Sequence, residues 1–146
     1  MRILGVDHGD RHVGLALSDL LRVAARPLGT YVLQAREEDN RAYFRELVRA
    51  HEVGRIVVGL PLRLDGTPGR RAETTRAFAA WLEEAVGLAV DFWDERLTTQ
   101  QAASIMREQK VKAQNRRSVI NQIAAVLILQ SYLDSRRPDA HSPKGD

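Results

Sequence analysis

The sequence predicts an α/β fold, a five-stranded mixed sheet in the order 3-2-1-4-5 with helices on both faces. Three short apolar segments separated by turn residues open the chain, which is typical of an antiparallel meander. Helical and strand-like segments then alternate, which is typical of parallel β-α-β units. With 146 residues the chain has the length of one domain. We assign that domain to residues 1–135 and expect a disordered, mostly polar tail at 136–146.

The meander is predicted from three apolar runs near the N-terminus. The first strand is predicted over residues 1–7, the second over 12–18 and the third over 23–32. Gly9 lies in the turn between the first two strands, where a glycine can supply a positive φ. Pro27 lacks a backbone donor, so the third strand is expected to be an edge strand or to carry a bulge.

The rest of the chain is predicted from its hydrophobic periodicity. Apolar residues recur every three or four positions in the predicted helices, and a wholly apolar run indicates a strand buried on both faces. The segments are a helix at 37–51, a strand at 55–59, a helix at 72–86, a strand at 88–93, a helix from Thr98 to 109 and a last helix at 118–134. Together with the meander they give the ribonuclease H-like topology. Trp81 and Trp93 fall on core-facing positions and are interpreted as packing residues.

Composition narrows the class of protein. The chain contains no cysteine, which excludes disulfides, thiolate metal sites and cysteine nucleophiles and is compatible with a cytoplasmic location. The N-terminal apolar run stops at Asp7, so a signal peptide is not expected, and no uncharged run is long enough for a membrane span. The net charge of +3 favours a polyanionic partner.

Acidic residues end two of the predicted strands. Asp7 ends the first strand, and Asp94 and Glu95 end the last one. In the predicted order these strands lie two positions apart, roughly 10 Å, at the edge where α/β proteins usually bind ligands. Two carboxylates reaching inward could hold one or two divalent ions, and oxygen ligands select Mg²⁺ or Mn²⁺ over zinc. The alternative is that these acids are simply solvated or salt-bridged.

Four segments carry a family resemblance, spread over nearly the whole chain apart from the tail. They are Gly5–Asp19, Val57–Thr67, Asp94–Thr99 and Ala124–Leu133. In the same order they resemble the motifs of the YqgF family, which is related to the Holliday-junction resolvase RuvC. The resemblance implies a bacterial metal-dependent nuclease that matures the 5′ end of 16S rRNA. It also implies an alternative, a Holliday junction resolvase acting on branched DNA.

The resemblance also assigns site residues, with one departure. Asp7 and Glu95 match the first two acidic metal ligands of the family, whereas Asn121 stands where the third is normally an aspartate. An asparagine offers one neutral carbonyl oxygen in place of two charged oxygens, so metal affinity should fall. Either two carboxylates suffice, another acid (Asp94 or Asp10) substitutes, or activity is weakened.

Basic and hydroxyl residues near these positions are the expected substrate contacts. Arg11 and Arg96 lie close in sequence to the expected ligands, where a guanidinium can bind a phosphate bidentately. The other expected contacts are Thr98, Thr99, Lys110, Lys112, Arg116 and Arg117. For the threonines a helix N-cap is an equally good interpretation, and for the basic segment a solvated loop is the alternative. Asp65 either lines the groove or makes the turn in its loop.

The leading hypothesis is therefore hydrolysis of phosphodiester bonds by a two-metal-type mechanism. A second hypothesis is a catalytically weakened factor that binds nucleic acid, pre-rRNA or a ribosomal precursor particle. A third, an actin-like ATPase, is suggested only by the first motif, and the single-lobe length argues against it. No exposed apolar stripe indicates a stable dimer, so a monomer or a weak homodimer is expected, with no membrane partner.

Overall fold

The structure, a computed structural model, describes residues 1–97, 108 and 117–136. Five strands form one sheet in the order β3-β2-β1-β4-β5, as predicted. The strands are β1 (Arg2–His8), β2 (His12–Ser18), β3 (Ala25–Val32), β4 (Val53–Leu60) and β5 (Val90–Asp94). The described helices are α1 (Glu37–Ala50), α2 (Arg70–Val86) and α3 (Arg117–Arg136), and a single 3₁₀ turn covers Glu95–Leu97.

The sheet is mixed. β1 pairs antiparallel with β2, and β2 with β3, whereas β4 lies parallel to both β1 and β5. The β2–β3 register shifts between Leu15, which faces Gly29, and Ala16, which faces Pro27. The third strand is thus an edge strand with an irregularity at its proline, which confirms both expectations drawn from Pro27.

Several element boundaries differ from the predicted ones. β4 begins at Val53 because that residue pairs with Arg2 of β1. α2 begins at Arg70, after the extended Gly69, two residues before the predicted start. α3 continues to Arg136, so the first residue of the predicted tail is helical. Apart from residue 108, the helix predicted from Thr98 to 109 lies outside the described residues, as does the rest of the tail.

One side of the sheet, which we call the aromatic face, packs against α1 and α2. Its buried residues include Leu4, Val6 and Phe44, with Phe78 and Trp81 packed against them. The Phe44 ring meets those of Phe78 and Trp81 edge-on at centroid distances of 6.2 and 6.1 Å. Large rings therefore fill this layer, and Trp81 is a packing residue as predicted.

The opposite side, which we call the glycine face, packs against α3 alone among the described helices. Three strand glycines, Gly5, Gly14 and Gly59, lie directly under the helix. A Cβ on Gly14 would lie 1.9 Å from the backbone oxygen of Asn121, and one on Gly5 would lie 2.7 Å from the Cβ of Leu129. The absence of side chains at these positions lets α3 approach the strands closely.

Hydrogen bonds hold α3 on the glycine face near both ends of the helix. Near its start the side-chain amide of Asn121 donates to the carbonyl oxygen of His12, at 2.8 Å. Near its end the hydroxyl of Tyr132 donates to Asp91 of β5 at 2.7 Å. Trp93 of β5 packs edge-on against Tyr132, with ring centroids 5.9 Å apart, so it too is a packing residue as predicted. Among the described helices, none has the length and apolar character needed to cross a bilayer.

Candidate active site

Asp7 lies near the end of β1 and belongs to the glycine face. It pairs directly with Gly14, which faces the start of α3, and directly paired residues share one side of a sheet. β1 and β4 run parallel and pair up to Val6 and Val58, so Asp7 and Gly59 are the next residues along. The Asp7 side chain is half-buried. It therefore lies at the carboxyl edge of the central strands, as predicted.

A cavity of about 530 Å³ opens beside Asp7. It lies between the β1–β2 turn, the start of α2 and the start of α3. Its lining residues are Asp7, Gly9, Asp10, Arg11, His12, Arg71, Ile120 and Asn121. Four of the residues singled out in the sequence thus line one cavity, namely Asp7 of β1, Asp10 and Arg11 of the β1–β2 turn, and Asn121 of α3.

Glu95 reaches the same region from the other side of β4. It follows β5, and its Oε2 lies 2.9 Å from the point that a Cβ on Gly59 would occupy. Gly59 separates Asp7 from Glu95 in the sheet, so the missing side chain leaves room for this carboxylate between the two strands. Burial raises the pKa of Glu95, Asp94 adds to this effect, and the positive charge of Arg71 opposes it. The carboxylate is thus held where little water compensates its charge.

Asn121 is held in place by its own hydrogen bond. Because the His12 carbonyl oxygen only accepts, the Asn121 atom facing it at 2.8 Å must be the Nδ2 donor. The Oδ1 of Asn121 is then the side-chain oxygen that can coordinate a cation. Gly9 makes room for this arrangement, since a Cβ there would lie 2.9 Å from Nδ2.

The two acids considered as substitutes for a third carboxylate lie in different surroundings. Asp94 forms an ion pair with Arg96 at 2.7 Å, and hydrogen bonds from Arg96 lower the pKa of Asp94. Arg96 also donates weakly to the backbone oxygen of Leu64, at 3.4 Å, so its guanidinium is occupied by these two groups. Asp10, in contrast, is exposed and lines the Asp7 cavity.

The loop that follows β4 has a structural turn at its tip. The Asp65 carboxylate accepts hydrogen bonds from the backbone and the hydroxyl of Thr67, at 3.0 and 2.7 Å. Gly66 takes the positive φ, 90°, that this turn requires. Asp65 therefore makes the turn, and it does not line the Asp7 cavity.

The remaining predicted substrate contacts are not placed by the structure. Thr98, Thr99, Lys110, Lys112 and Arg116 lie outside the described residues, and Arg117 is described only as the first residue of α3. These six residues remain predictions.

Sequence reasoning missed Arg71. The residue lies in the first turn of α2 and lines the Asp7 cavity. The helix was predicted to begin at Ala72, which left Arg71 just outside it. The available signal was Gly69, a residue that often precedes a first helical turn. A helix that follows a parallel strand begins at the carboxyl edge of the sheet, so its first turn lies near Asp7.

His8 faces the other side of the sheet. Its ring stacks on Phe78 of α2 with centroids 4.3 Å apart. Burial lowers the pKa of His8, the charge of Arg71 lowers it further, and Asp10 opposes both. His8 therefore packs against α2 on the aromatic face and does not line the Asp7 cavity.

The donor set fits a divalent cation of the oxygen-binding kind. Within the described residues, no group of three or more His, Cys, Asp or Glu side chains is placed to hold a metal ion. Asp7 and Glu95 nevertheless contribute two carboxylates to this edge of the sheet, and Asn121 contributes one amide oxygen. The half-buried Glu95 carboxylate beside Gly59 has a raised pKa, and a bound cation would stabilise its ionised form.

The sheet order and the strand-end acids define a ribonuclease H-like domain. The fold is shared with solved resolvase structures. One, "T. thermophilus RuvC in complex with Holliday junction substrate", matches with a TM-score of 0.58 and 15% identity, over 93% of this chain and 95% of that one. A fowlpox virus resolvase, solved with Holliday junction DNA, matches with a TM-score of 0.55 and 12% identity, over 92% of this chain and 98% of that one.

The chain belongs to the family described as "RuvX: Holliday junction resolvase", whose model matches residues 1–135. This is the YqgF family of the sequence resemblance. A relative from Pelotomaculum thermopropionicum is 46% identical over 93% of this chain and 88% of its own length. One from Lachnospira eligens is 42% identical over 94% of this chain and 99% of its own length. Both bear the name "Putative pre-16S rRNA nuclease".

Proposed function

We propose that this chain is a metal-dependent nuclease that hydrolyses phosphodiester bonds and matures the 5′ end of pre-16S rRNA in the cytoplasm. The observation that carries the proposal is the placement of two carboxylates at one edge of the sheet: Glu95 lies against Gly59 of β4, and Asp7 of the neighbouring β1 lines a cavity together with Arg11. Family membership and the name shared by the relatives support it. A ribosomal precursor particle is the partner that this substrate implies.

Asp7 and Glu95 would hold Mg²⁺ or Mn²⁺, with the Oδ1 of Asn121 as a neutral ligand. The bound metal would supply Lewis-acid stabilisation and a more acidic water, through one ion or a two-metal arrangement. Arg11, exposed on the cavity wall, binds the phosphate backbone and holds the substrate strand. Half-burial of Asp7 and Glu95 limits water around their charges and strengthens their attraction for a cation.

Asp10 is our candidate for the missing third acid. It lines the cavity together with Asp7, whereas Asp94 is neutralised by Arg96. The hydrogen bond from Asn121 to His12 gives Asn121 a structural role that an aspartate in the same position could not fill. The proposed site therefore uses three carboxylates. Asp7 and Glu95 are half-buried at the ends of strands, and Asp10 lies in the exposed β1–β2 turn.

A second candidate function is resolution of four-way DNA junctions. The description of the family names this activity, and two solved structures of the same fold hold junction DNA. Symmetric cutting of a junction requires a two-fold dimer. A monomer in solution would favour the RNA substrate, and a stable dimer would favour the junction.

The test uses purified full-length protein with two labelled substrates, an RNA that carries a 16S leader and a four-way DNA junction. Each is incubated with Mn²⁺, with Mg²⁺ and with EDTA, beside a measurement of the mass in solution. We expect metal-dependent cleavage that Asp7→Asn and Glu95→Gln each lower by at least ~1,000-fold. Asp39→Asn is the matched control, because it makes the same chemical change at an exposed position on α1.

Three outcomes would count against the proposal. Cleavage that is equal in the Asp7→Asn variant and the wild type would mean that a contaminant is responsible. Cleavage of the junction alone would assign the second candidate function. Tight binding of the RNA with no cleavage in any metal would identify a binding factor in place of a nuclease.

A further inference from the structure

Resting on the proposed function, we infer that Arg71 binds a backbone phosphate of the nucleic acid next to Asp7 and is a substrate-binding residue of this nuclease. Arg71 lies outside the four segments of the family resemblance.

Arg71 lies between two adjoining cavities. One is the cavity of about 530 Å³ that Asp7 lines. The other, about 120 Å³, lies toward the aromatic face and is lined by His8, Arg70, Thr74 and Thr75 among others. Arg71 lines both, together with Gly9 and Asp10 of the β1–β2 turn. A ligand that follows the carboxyl edge of the sheet must therefore pass the Arg71 side chain.

The charge of Arg71 reaches groups on both faces of the sheet. The side chain lies close enough to Glu95 and to His8 for its charge to act on both. The guanidinium thus contributes positive potential beside Glu95 and at the wall of the cavity that Asp7 lines. A phosphate entering the Asp7 cavity carries the charge that this potential attracts.

The arginines of the sheet and of its carboxyl edge differ in their pairing. Arg96 is held by Asp94 at 2.7 Å, and Arg55 of β4 is held by Asp91 of β5, also at 2.7 Å. Among the ion pairs of the described residues Arg71 takes part in none, and its side chain is exposed. A guanidinium that is exposed, unpaired within this set and beside two carboxylates is suited to a bidentate phosphate contact.

With one bound divalent ion, the charge of a substrate phosphate is left for a cationic side chain to balance. Asp7 and Glu95 together carry two negative charges, which one divalent ion neutralises. A phosphodiester then adds one negative charge, and Arg71 supplies one positive charge on the cavity wall. With Asn121 in place of an acid, no third carboxylate in α3 offsets that positive charge.

The experiment compares Arg71→Gln and Arg71→Lys with Arg76→Gln. Arg76 is a matched control because it is exposed on the same helix and lines neither cavity. Its guanidinium lies over the Phe92 ring, 5.6 Å from the centroid. Binding of a labelled single-stranded RNA leader is measured in the cleavage-deficient Asp7→Asn background, in EDTA, at several salt concentrations. Cleavage is measured in the active background with Mn²⁺.

Arg71→Gln should weaken binding and reduce the slope of log K against log salt by about 0.7, the value of one phosphate contact on a single strand. It should lower kcat/KM by about 10–100-fold. Arg71→Lys should restore the salt slope but only part of kcat/KM, since an ammonium cannot form the bidentate contact. Arg76→Gln should leave both values unchanged.

The results separate this inference from the proposed function. If Asp7→Asn abolishes cleavage while Arg71→Gln binds and cleaves like Arg76→Gln, the nuclease stands and the Arg71 inference is wrong. If the wild type does not cleave but Arg71→Gln alone reduces the salt slope, the phosphate contact stands and the nuclease proposal fails. Loss of cleavage in Arg71→Gln with an unchanged salt slope would make Arg71 a support for Glu95, which also overturns the inference.

Discussion

The two faces of the sheet are built in opposite ways. On the aromatic face, large side chains such as Phe44, Phe78 and Trp81 fill the space between the sheet and two helices. On the glycine face, α3 lies almost on the strands because Gly14 and Gly59 have no side chains. The candidate active site belongs to the glycine face.

The two faces therefore have different roles: the aromatic face supports stability, and the glycine face positions the candidate site. A layer filled by rings buries much apolar area and supports stability. On the glycine face, the close contact between α3 and the strand backbone fixes the position of α3. It thereby fixes Asn121 relative to Asp7. Changes on the aromatic face should therefore lower stability without altering the site, whereas changes on the glycine face should alter both.

The largest stability effect is expected on the aromatic face. Phe44→Ala removes a fully buried ring and should lower the free energy of unfolding by about 3–5 kcal/mol. The fraction that remains folded should cleave at the wild-type rate. Urea unfolding and cleavage per folded molecule test this, with the half-exposed Phe92→Ala as a control. Equal losses for the two variants would contradict the assignment of the core.

On the glycine face, Gly14→Ala should be costly and should also damage the site. The new Cβ would lie 1.9 Å from the Asn121 backbone oxygen, so the start of α3 must move, at a cost of about 3 kcal/mol. Cleavage should fall further than the folded fraction does. Gly54→Ala is the matched control, because its Cβ would meet only the flexible side chain of Met1. If each folded Gly14→Ala molecule cleaves at the wild-type rate, the glycine face does not position the site.

Asn121→Asp tests the polar bond at the start of α3. Without metal, a carboxylate facing the His12 carbonyl oxygen loses the hydrogen bond, and stability should fall by about 1–2 kcal/mol. Added Mn²⁺ should then raise the Tm more than it does in the wild type, because the site gains a charged ligand. Thermal unfolding in EDTA and in Mn²⁺ measures both effects. Asn121→Ala should show the loss without the metal response, and an unchanged Tm in EDTA would argue against the bond.

The smallest effect is a gain in stability for Glu95→Gln without metal. Burial raises the pKa of Glu95 in the folded protein above its ordinary value of 4.5. The folded state then binds a proton that the unfolded state has released, so stability falls as the pH rises from 4.5 through the raised pKa. Glutamine removes this penalty and should raise the Tm in EDTA at neutral pH by about 2–4 °C.

The same variant contains its own control. Below pH 4.5 the glutamate is protonated in both states, so the two proteins should melt alike. A lower Tm for Glu95→Gln at neutral pH in EDTA would show that the carboxylate is stabilised by a partner in the folded protein.

Much of the fold follows from periodicity along the chain. Strand β2 was predicted with its observed bounds, and Pro27 correctly indicated an irregular edge strand. Glycines that look like strand breakers in a sequence, Gly14 and Gly59, turn out to be contact points for α3. Their role depends on a helix more than 100 residues away from Gly14, at Asn121, and no local pattern encodes that distance.

The positions of the acidic residues of the candidate site could be predicted from the sequence, whereas the availability of its arginines could not. Asp7 and Glu95 end strands, and a strand end is visible in the sequence. Whether an arginine is available to a ligand depends on its neighbours in space. Arg96 was an expected phosphate contact but is bound by Asp94, whereas Arg71 was left outside the predicted helix and lines the cavity.

The two tryptophans of the chain give each face its own fluorescent reporter. The Trp81 indole donates to Glu37 at 2.7 Å on the aromatic face. The Trp93 indole nitrogen is buried on the glycine face and has no hydrogen-bond partner among the described residues. Since Trp93 lies two residues before Glu95, its emission should respond to events at the site while that of Trp81 stays constant. A Trp81→Phe protein would thus carry a single optical probe of the catalytic side of the sheet.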